Sequence, residues 1–431
     1  MVRRFAGHRD LIRASALLFV GTSTARLLGF LFSVAAARIL LAADFGRFAY
    51  GLTIASIAAI LVANAPRGLS RFLAHHEADR RQQDSYFSNW LVVVALTLAV
   101  SFLLLQPIAL LAGLSGWIIV AVGANFLGVA VLETYREAQR GLHRFTAVVV
   151  FYVAANLMQL VAILLAAGLG WRSPALFLTI YGLSSLGALA LMQQATPIAL
   201  SVVTNDLAWR RVASIVRYVR PLVFQTVFYA IWAGTDMVLV GRILGPTATG
   251  NYAAAKTLVT VLALAPLAIG IVAGPEVARL RQRGGDALRQ YVTVSLALTA
   301  AITAPLVAVL VLFKHPIILL LFGTKYPLAS RPLTVLAVGM ALYGLSLVLE
   351  NLWIGLGHPR IAAIASGIAM VCTIGLGLML IPRIAEAGAA LTFAAGSAVQ
   401  LSILAGYTAW VLYLGSTTRV QDLADRSILE S

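Results

Sequence analysis

From Ser85 to Leu132 the chain carries no charged residue. A soluble fold cannot bury so long an unbroken run. A bilayer can, because its hydrocarbon asks for ~20 apolar residues per helical crossing. Composition agrees: 61% of residues are hydrophobic and 11% charged, against about 45–50% and about 25% in soluble domains. Only helices and closed barrels satisfy their backbones in lipid. A barrel would read as alternating ~10-residue strands, whereas these runs are continuous and rich in Leu and Ala. The expectation is an all-α polytopic membrane protein.

Periodicity and length place twelve spans at roughly 14–41, 46–66, 87–110, 117–134, 146–168, 174–192, 221–244, 250–273, 291–313, 332–351, 361–381 and 387–413. Between the sixth and seventh, "NDLAWRRVASIVRYVR" puts Ala208, Trp209, Val212, Ile215, Val216 and Val219 on one helical face and Arg210, Arg211 and Arg217 on the other. That pattern predicts an interfacial helix on the cytoplasmic leaflet. The implied organisation is an N-terminal six-helix bundle at 1–204, an amphipathic linker helix at 205–220, a C-terminal six-helix bundle at 221–414 and a tail at 415–431.

The termini and even-numbered connections hold 22 Lys and Arg, and the opposite side holds eight: Arg38, Arg47, Arg172, Arg242, Lys314, Lys325, Arg331 and Arg383. The positive-inside rule then predicts cytoplasmic N- and C-termini. The connection 314–331, with three cations on the outer side, departs from the rule. A net charge of +16 reads here as loops meeting anionic lipid rather than nucleic acid. The single Cys372 excludes an intrachain disulfide and a cysteine zinc site. The outward connections are short, which argues against an enzyme acting outside the membrane.

The chain writes one corner twice. "ARILLAADFGRFAYG" at 37–51 returns as "GRILGPTATGNYAAA" at 241–255, with Arg38 matched by Arg242, Gly46 by Gly250, Phe48 by Tyr252 and Ala49 by Ala253. "LET" at 132–134 echoes "LEN" at 349–351, which pairs Glu133 with Glu350. Six spans separate the copies, so both halves insert the same way up, as parallel repeats with a cleft between them. That plan is expected of an alternating-access transporter.

Facilitator-type transporters carry a Gly…Asp-Arg-x-Gly-Arg signature between spans two and three, and "PRGLSRFLAHHEADRRQQDSY" lacks it. "ARLLGFLFSVAAARILLAADFGRFAYGLT" resembles instead the opening of bacterial oligosaccharide flippases of the polysaccharide-biosynthesis family, within the multidrug/oligosaccharidyl-lipid/polysaccharide superfamily. Arg26, Arg38, Asp44, Phe45, Gly46 and Phe48 occupy the family's places, and "DMVLVGRILGPTATGNYAAA" is similar to its second-half counterpart. Murein lipid flippases show an Arg-Asp pair where this chain has Phe32-Ser33, and often carry extra spans. Drug/cation antiporters bury several acids, whereas Asp236 is the one clear buried acid here. A lipid II flippase and a cation-coupled multidrug exporter remain the alternatives.

The resemblance implies transfer of a polyprenyl-pyrophosphate oligosaccharide from the cytoplasmic to the outer leaflet of the bacterial inner membrane. The implied partners are that glycan, membrane lipids and polymerase and chain-length machinery, with a monomeric transport unit. No cofactor or metal is expected. The expected drive is the membrane potential, a proton gradient or a sodium gradient. A pyrophosphate needs cations, and charges inside a membrane default to function. Ser15, Thr22, Arg26 and Ser33 share a helix face with Gly29 beside it, and Arg26 is the candidate phosphate ligand. On the seventh span Gln225, Tyr229, Trp232 and Asp236 share a face suited to a sugar ring. Tyr252, Lys256 and Thr260 align on the eighth. Asp236 and Lys256 lie at equal depth on adjacent helices and are expected to form an ion pair. Glu133 and Glu350, beside Arg136, Arg140 and Arg360, read as interfacial salt bridges or a gate.

Overall fold

The backbone closes its hydrogen bonds within helices almost everywhere. The computed structural model describes residues 8–270 and 285–414, with side chains throughout except at 8–16, 221, 222, 224, 225, 413 and 414. Gln225 therefore lies outside the described side chains, as does Ser15. The helices are α1 (His8–Ile39), α2 (Ala42–Ala58), α3 (Ile60–Asn64), α4 (Leu69–His75), α5 (Arg80–Ala112), α6 (Trp117–Gly141), α7 (Phe145–Gly168), α8 (Pro174–Ala195), α9 (Trp209–Ile243), α10 (Pro246–Val259), α11 (Gly285–Leu312), α12 (Lys314–Phe322), α13 (Ser330–Gly355) and α14 (Pro359–Ala409). Proline opens α8, α10 and α14, where a missing N–H costs nothing. Asp79 caps α5 by accepting the Gln82 N–H at 3.1 Å.

Among the described residues nine helices are long and apolar enough to cross a membrane, or ten when the bent pair Ala42–Ala58 and Ile60–His75 counts as one span. The last apolar helix runs 54 residues, from Pro359 to Leu412. At 1.5 Å per residue it far exceeds a ~30 Å hydrocarbon core. It breaks after Pro382 at Ile384 (φ −129°, ψ 21°) and Ala385 (φ 50°, ψ −134°), between the eleventh and twelfth expected spans. A non-glycine residue at positive φ is strained, and the strain here turns the chain without an intervening loop. Among the described residues the expected segments fall mainly on helices, and 271–273 of the eighth lie outside the described residues.

The chain divides into two compact units between Val227 and Phe228, inside α9 and past the expected boundary at 220. The linker helix is not a separate element either, because α9 continues unbroken from Trp209 through Ile243. Part of its apolar face packs on protein. Val212, Ile215 and Val219 are buried against Val62, Ala65, Leu69, Leu73 and Trp90 of the first unit, while Trp209 and Val216 stay exposed. The amphipathic pattern was legible, but the apolar wall that α3 to α5 offer it was not.

The segment before α9 is tied down by side chains of α5. Asp84 Oδ1 accepts the Ser201 N–H at 2.9 Å, Ser88 Oγ the Val203 N–H at 2.8 Å, and Asn89 Oδ1 the Ala208 N–H at 2.9 Å. Asn89 Nδ2 donates to Asp206 O at 3.0 Å, and Arg211 donates to Ser85 Oγ. This ladder satisfies an irregular backbone that would otherwise be unpaired.

The corner repeat is structural. α1 ends at Ile39 and α9 at Ile243, and α2 begins at Ala42 and α10 at Pro246. Both steps equal 204 residues, the spacing of Arg38 and Arg242. A second repeat follows at a step of 214. Leu142, His143 and Arg144 donate to Ala138, Arg140 and Gln139 at 3.1, 3.0 and 2.8 Å. Leu356, Gly357 and His358 donate to Leu352, Ile354 and Trp353 at 2.9, 3.0 and 2.8 Å. His143 (φ 57°) and Gly357 (φ 87°) take the left-handed position. This register corrects the expected pairing of Glu133 with Glu350, which needs a step of 217. Glu350 stands where the first half has Arg136, one turn from Glu133.

Asn89→Ala removes the clamp on the Asp206 carbonyl and the Ala208 N–H. The expected outcome is a loss of about 1–3 kcal/mol, seen as a lower melting midpoint in detergent, with Val202→Ala, exposed on the same segment, near wild type.

Candidate functional site

In the second unit, Asp236 of α9 and Lys256 of α10 meet. Lys256 Nζ lies 2.6 Å from Asp236 Oδ1 and 2.8 Å from Oδ2, and donates to Ala233 O at 2.9 Å. All three ammonium protons are thereby used. Tyr252 donates its hydroxyl to Asp236 Oδ2 at 2.6 Å, and the Met237 N–H reaches Oδ1 at 2.7 Å. The Asp236 side chain is wholly enclosed, while that of Lys256 keeps 17% exposure. The lysine also lies 5.5 Å from the centre of the Phe393 ring, a cation–π contact. The carboxylate is thus the fixed member and the ammonium the one with a way out.

The repeat shows what this cluster replaces. One step of 204 back, Asp236, Tyr252 and Lys256 become Phe32, Phe48 and Leu52. Phe32 and Phe48 are buried with ring centres 5.9 Å apart. The same corner therefore closes with an aromatic pair in one half and an ion pair with a tyrosine in the other. Folding does not require charge at this place.

One turn before Asp236, Trp232 is 1% exposed. Its Nε1–H donates to Thr373 Oγ1 at 3.1 Å. Its ring stacks on Phe393 at 5.8 Å and 14°, and meets Tyr343 at 5.3 Å. A Cβ at Gly396 would come 2.6 Å from Trp232 Nε1 and 2.2 Å from Thr373 Oγ1, so the tryptophan needs glycine beside it. In this conformation Trp232 is core and offers no face to a sugar. Tyr343 donates to the Tyr229 hydroxyl at 2.9 Å, leaving half-buried Tyr229 at the edge of the cluster. Thr260 sits in a 3-10 turn, bonded to Thr257 O at 2.6 Å, and does not join the pair. Phe393, Thr373, Tyr343 and Gly396 had no sequence signal, because their roles come from contacts across more than a hundred residues.

In the first unit, Arg26 is exposed near the middle of the apolar segment Leu17–Ile39. Among the described residues no hydrogen bond or ion pair holds its guanidinium. On the same stripe Thr22 and Ser33 bond back to Leu18 O at 2.7 Å and Gly29 O at 3.1 Å. Gly29 lies against α7, where a Cβ would stand 3.2 Å from Asn156 Oδ1.

Glu133 pairs with Arg136, but Arg140 turns to Glu137 at 3.3 Å. The sequence reading missed Glu137. It is 5% exposed and also accepts from Ser70 Oγ at 2.7 Å. Its signal was the alternation Glu133, Arg136, Glu137, Arg140 at helical spacing. Arg136 donates to the Tyr152 hydroxyl at 2.6 Å. Arg67 donates to Thr226 Oγ1 at 3.1 Å, and Thr226 to Asn64 Oδ1 at 3.1 Å. Glu350 is buried on α13. Among the described residues no group of three His, Cys, Asp or Glu could hold a metal.

Two variants separate the ion pair from the fold. Lys256→Leu alone leaves the Asp236 carboxylate buried without its cation and is expected to cost about 3–5 kcal/mol. The triple change Asp236→Phe, Tyr252→Phe and Lys256→Leu installs the first half's solution and is expected to restore the melting midpoint to near wild type. Thermal unfolding of the two proteins side by side checks both.

The family described as Polysaccharide biosynthesis protein matches residues 35–331 of the chain. No curated protein sequence matches it. Among solved structures, an inward-facing multidrug resistance MATE family transporter of the MOP superfamily is similar at a TM-score of 0.74 and 14% identity, over 93% of this chain and 96% of that one. The lipid II flippase MurJ in an inward closed conformation gives 0.70 and 14%, over 96% and 91%. A MOP superfamily transporter from Pyrococcus furiosus, noted for reversed polarity of its binding pocket, gives 0.63 and 15%, over 96% and 95%. At such identities the likeness is one of fold, and these neighbours are transporters and flippases. Their fold, together with the match over residues 35–331, makes this chain a membrane protein of the polysaccharide biosynthesis family.

Proposed function

We propose that the protein moves a polyprenyl-pyrophosphate-linked oligosaccharide from the cytoplasmic to the outer leaflet of the bacterial inner membrane, with both termini in the cytoplasm. The observation that carries this reading is Arg26, a guanidinium in the middle of an apolar span with no side-chain partner among the described residues. An arginine at that depth costs about 2.5–3.5 kcal/mol on insertion scales. A ligand phosphate offsets that cost, and the planar fork of arginine matches its oxygens. A drug cation would instead be repelled. The murein alternative shares the pyrophosphate, but Phe32, where the murein flippases begin their polar pair, is buried against Phe48 and Tyr181.

Lys256 is the second cation of this reading. While Asp236 is ionised, the ammonium is held. A proton on the carboxylate weakens the grip and frees the lysine for an anion. The membrane potential, negative inside, favours outward movement of a negative headgroup by about 2.3 kcal/mol per charge per 100 mV. Proton or sodium exchange at Asp236 is the rival drive. Flipping in proteoliposomes under imposed potassium potentials decides between them, since dependence on an ion gradient alone would favour the rival.

Arg26→Ala is expected to abolish surface glycan in cells that depend on this protein, with expression and melting midpoint unchanged. Arg26→Lys is expected to restore it in part. Normal surface glycan from well-expressed Arg26→Ala would remove Arg26 from the mechanism. A parallel fall in stability and activity would make it structural.

A further inference from the structure

With Trp232 in the core, the sugars of the proposed substrate call for polar groups elsewhere, and the first unit holds an open set. Gln159 of α7 is 6% exposed. Its Nε2 donates to Tyr181 O on α8 at 3.0 Å, while its Oε1 is buried with no hydrogen-bond partner among the described residues. Turning the amide over would set its oxygen against the Tyr181 carbonyl, so the open group is an acceptor. One turn earlier on the same face, Asn156 donates to Tyr152 O at 2.8 Å, and among the described residues nothing donates to its Oδ1. A Cβ at Gly29 of α1 would stand 3.2 Å from that Oδ1, so α1 runs close beside it. Tyr181 closes the third side, its ring 5.5 Å from that of Phe32 on α1, and its hydroxyl too has no partner among the described residues.

The repeat shows how such a place can be served from within the chain. At the step of 214 Gln159 becomes Thr373, and at the step of 204 Leu28 becomes Trp232. In the second half the Trp232 Nε1–H donates to Thr373 Oγ1 at 3.1 Å, and both residues are buried. In the first half Leu28 has no N–H to give, and Asn156 adds a second amide where the second half has apolar Met370. A buried acceptor without a donor is costly. Here it is left for a donor that the described residues do not supply. Ser33, Asn156 and Tyr181 are half-buried, which gives the cluster a way in. Its residues fall near the middle of the apolar segments Leu17–Ile39, Phe145–Gly168 and Pro174–Ala195, the depth at which many transporters bind their substrates. Gly29, beside Asn156, is one turn from Arg26, about 5 Å along the helix. A phosphate on Arg26 and the sugar it carries can bridge that separation.

We propose that Gln159, Asn156 and Tyr181 form a sugar subsite in the first unit, for the residue attached directly to the pyrophosphate. The two amide oxygens accept hydroxyl protons of that sugar, and the tyrosine hydroxyl donates to one of its oxygens. The subsite rests on the reading of the substrate as a pyrophosphate-linked glycan. It divides the headgroup: Arg26 takes the phosphates, which all such lipids share, and the amides take the sugar, which distinguishes them.

The test uses the full-length protein in neutral detergent and a short polyprenyl pyrophosphate, either bare or bearing a single glucose, galactose or N-acetylglucosamine, with affinities read by native mass spectrometry. The expected result is tighter binding of at least one glycosylated form than of the bare one. Gln159→Leu weakens that form about tenfold, the worth of one hydrogen bond to a buried acceptor, and leaves the bare pyrophosphate unchanged. Arg26→Ala weakens every form. Gln159→Leu removes an unpaired acceptor and is expected to keep or raise the melting midpoint. If it does not fold, Asn156→Ala is read the same way. No preference for any sugar, an equal loss for bare and glycosylated forms in the folded variant, or no loss at all would overturn the subsite and leave the acceptor to water. Indifference of every form to Arg26→Ala would instead overturn the role of Arg26 and spare the subsite, and no binding of any form would overturn both.

Discussion

A backbone amide in hydrocarbon has no water to bond, and an unpaired one costs several kcal/mol. The rest of this structure follows from that constraint. Among the described residues it makes the long segments helices, and some irregular backbone is served by side chains. The segment before α9 satisfies it with Asp84, Ser88 and Asn89. In α14 the chain turns at Ile384 and Ala385 with no intervening loop. Close helix crossings follow from the same constraint, because lipid offers helices no hydrophobic reason to associate and packing must do it. At Gly128, for instance, a Cβ would fall 1.9 Å from the Gly182 carbonyl oxygen.

Against this apolar background the charged groups stand out as choices. The corner at α9–α10 could have closed as its twin does, with Phe32 on Phe48. It closes instead with Asp236, Tyr252 and Lys256. A buried pair seldom adds stability over apolar groups of similar volume, so its presence in one half only points to use rather than to folding. Arg26 makes the converse case in the first half, where its register partner in the second is Ala230. The two halves keep the same corners and hydrogen bonds but carry different chemistry.

The candidate site was partly legible. Asp236 and Lys256 could be paired from sequence because a tight turn and 1.5 Å per residue fix their depth. Trp232 could not be assigned correctly. Helical spacing put it beside Asp236, but whether that face meets a cleft or a core depends on Phe393, Thr373 and Gly396, which lie more than a hundred residues away. Glu133 and Glu350 were paired by letters, "LET" with "LEN", while the backbone aligns Glu350 with Arg136. A turn's hydrogen bonds set register, and residue identity three positions away does not.

The sequence by itself determined the membrane, the helices and the repeat, because each rests on local quantities: hydropathy over ~20 residues, periodicity, and a corner copied at constant spacing. The tertiary structure alone decided which buried residues Val212, Ile215 and Val219 of α9 pack against, and that Arg140 turns to Glu137. An apolar stripe specifies that something must cover it, and a cation that something must neutralise it. Which surface does so depends on helices brought together from distant parts of the chain, and no local property of the sequence carries that information.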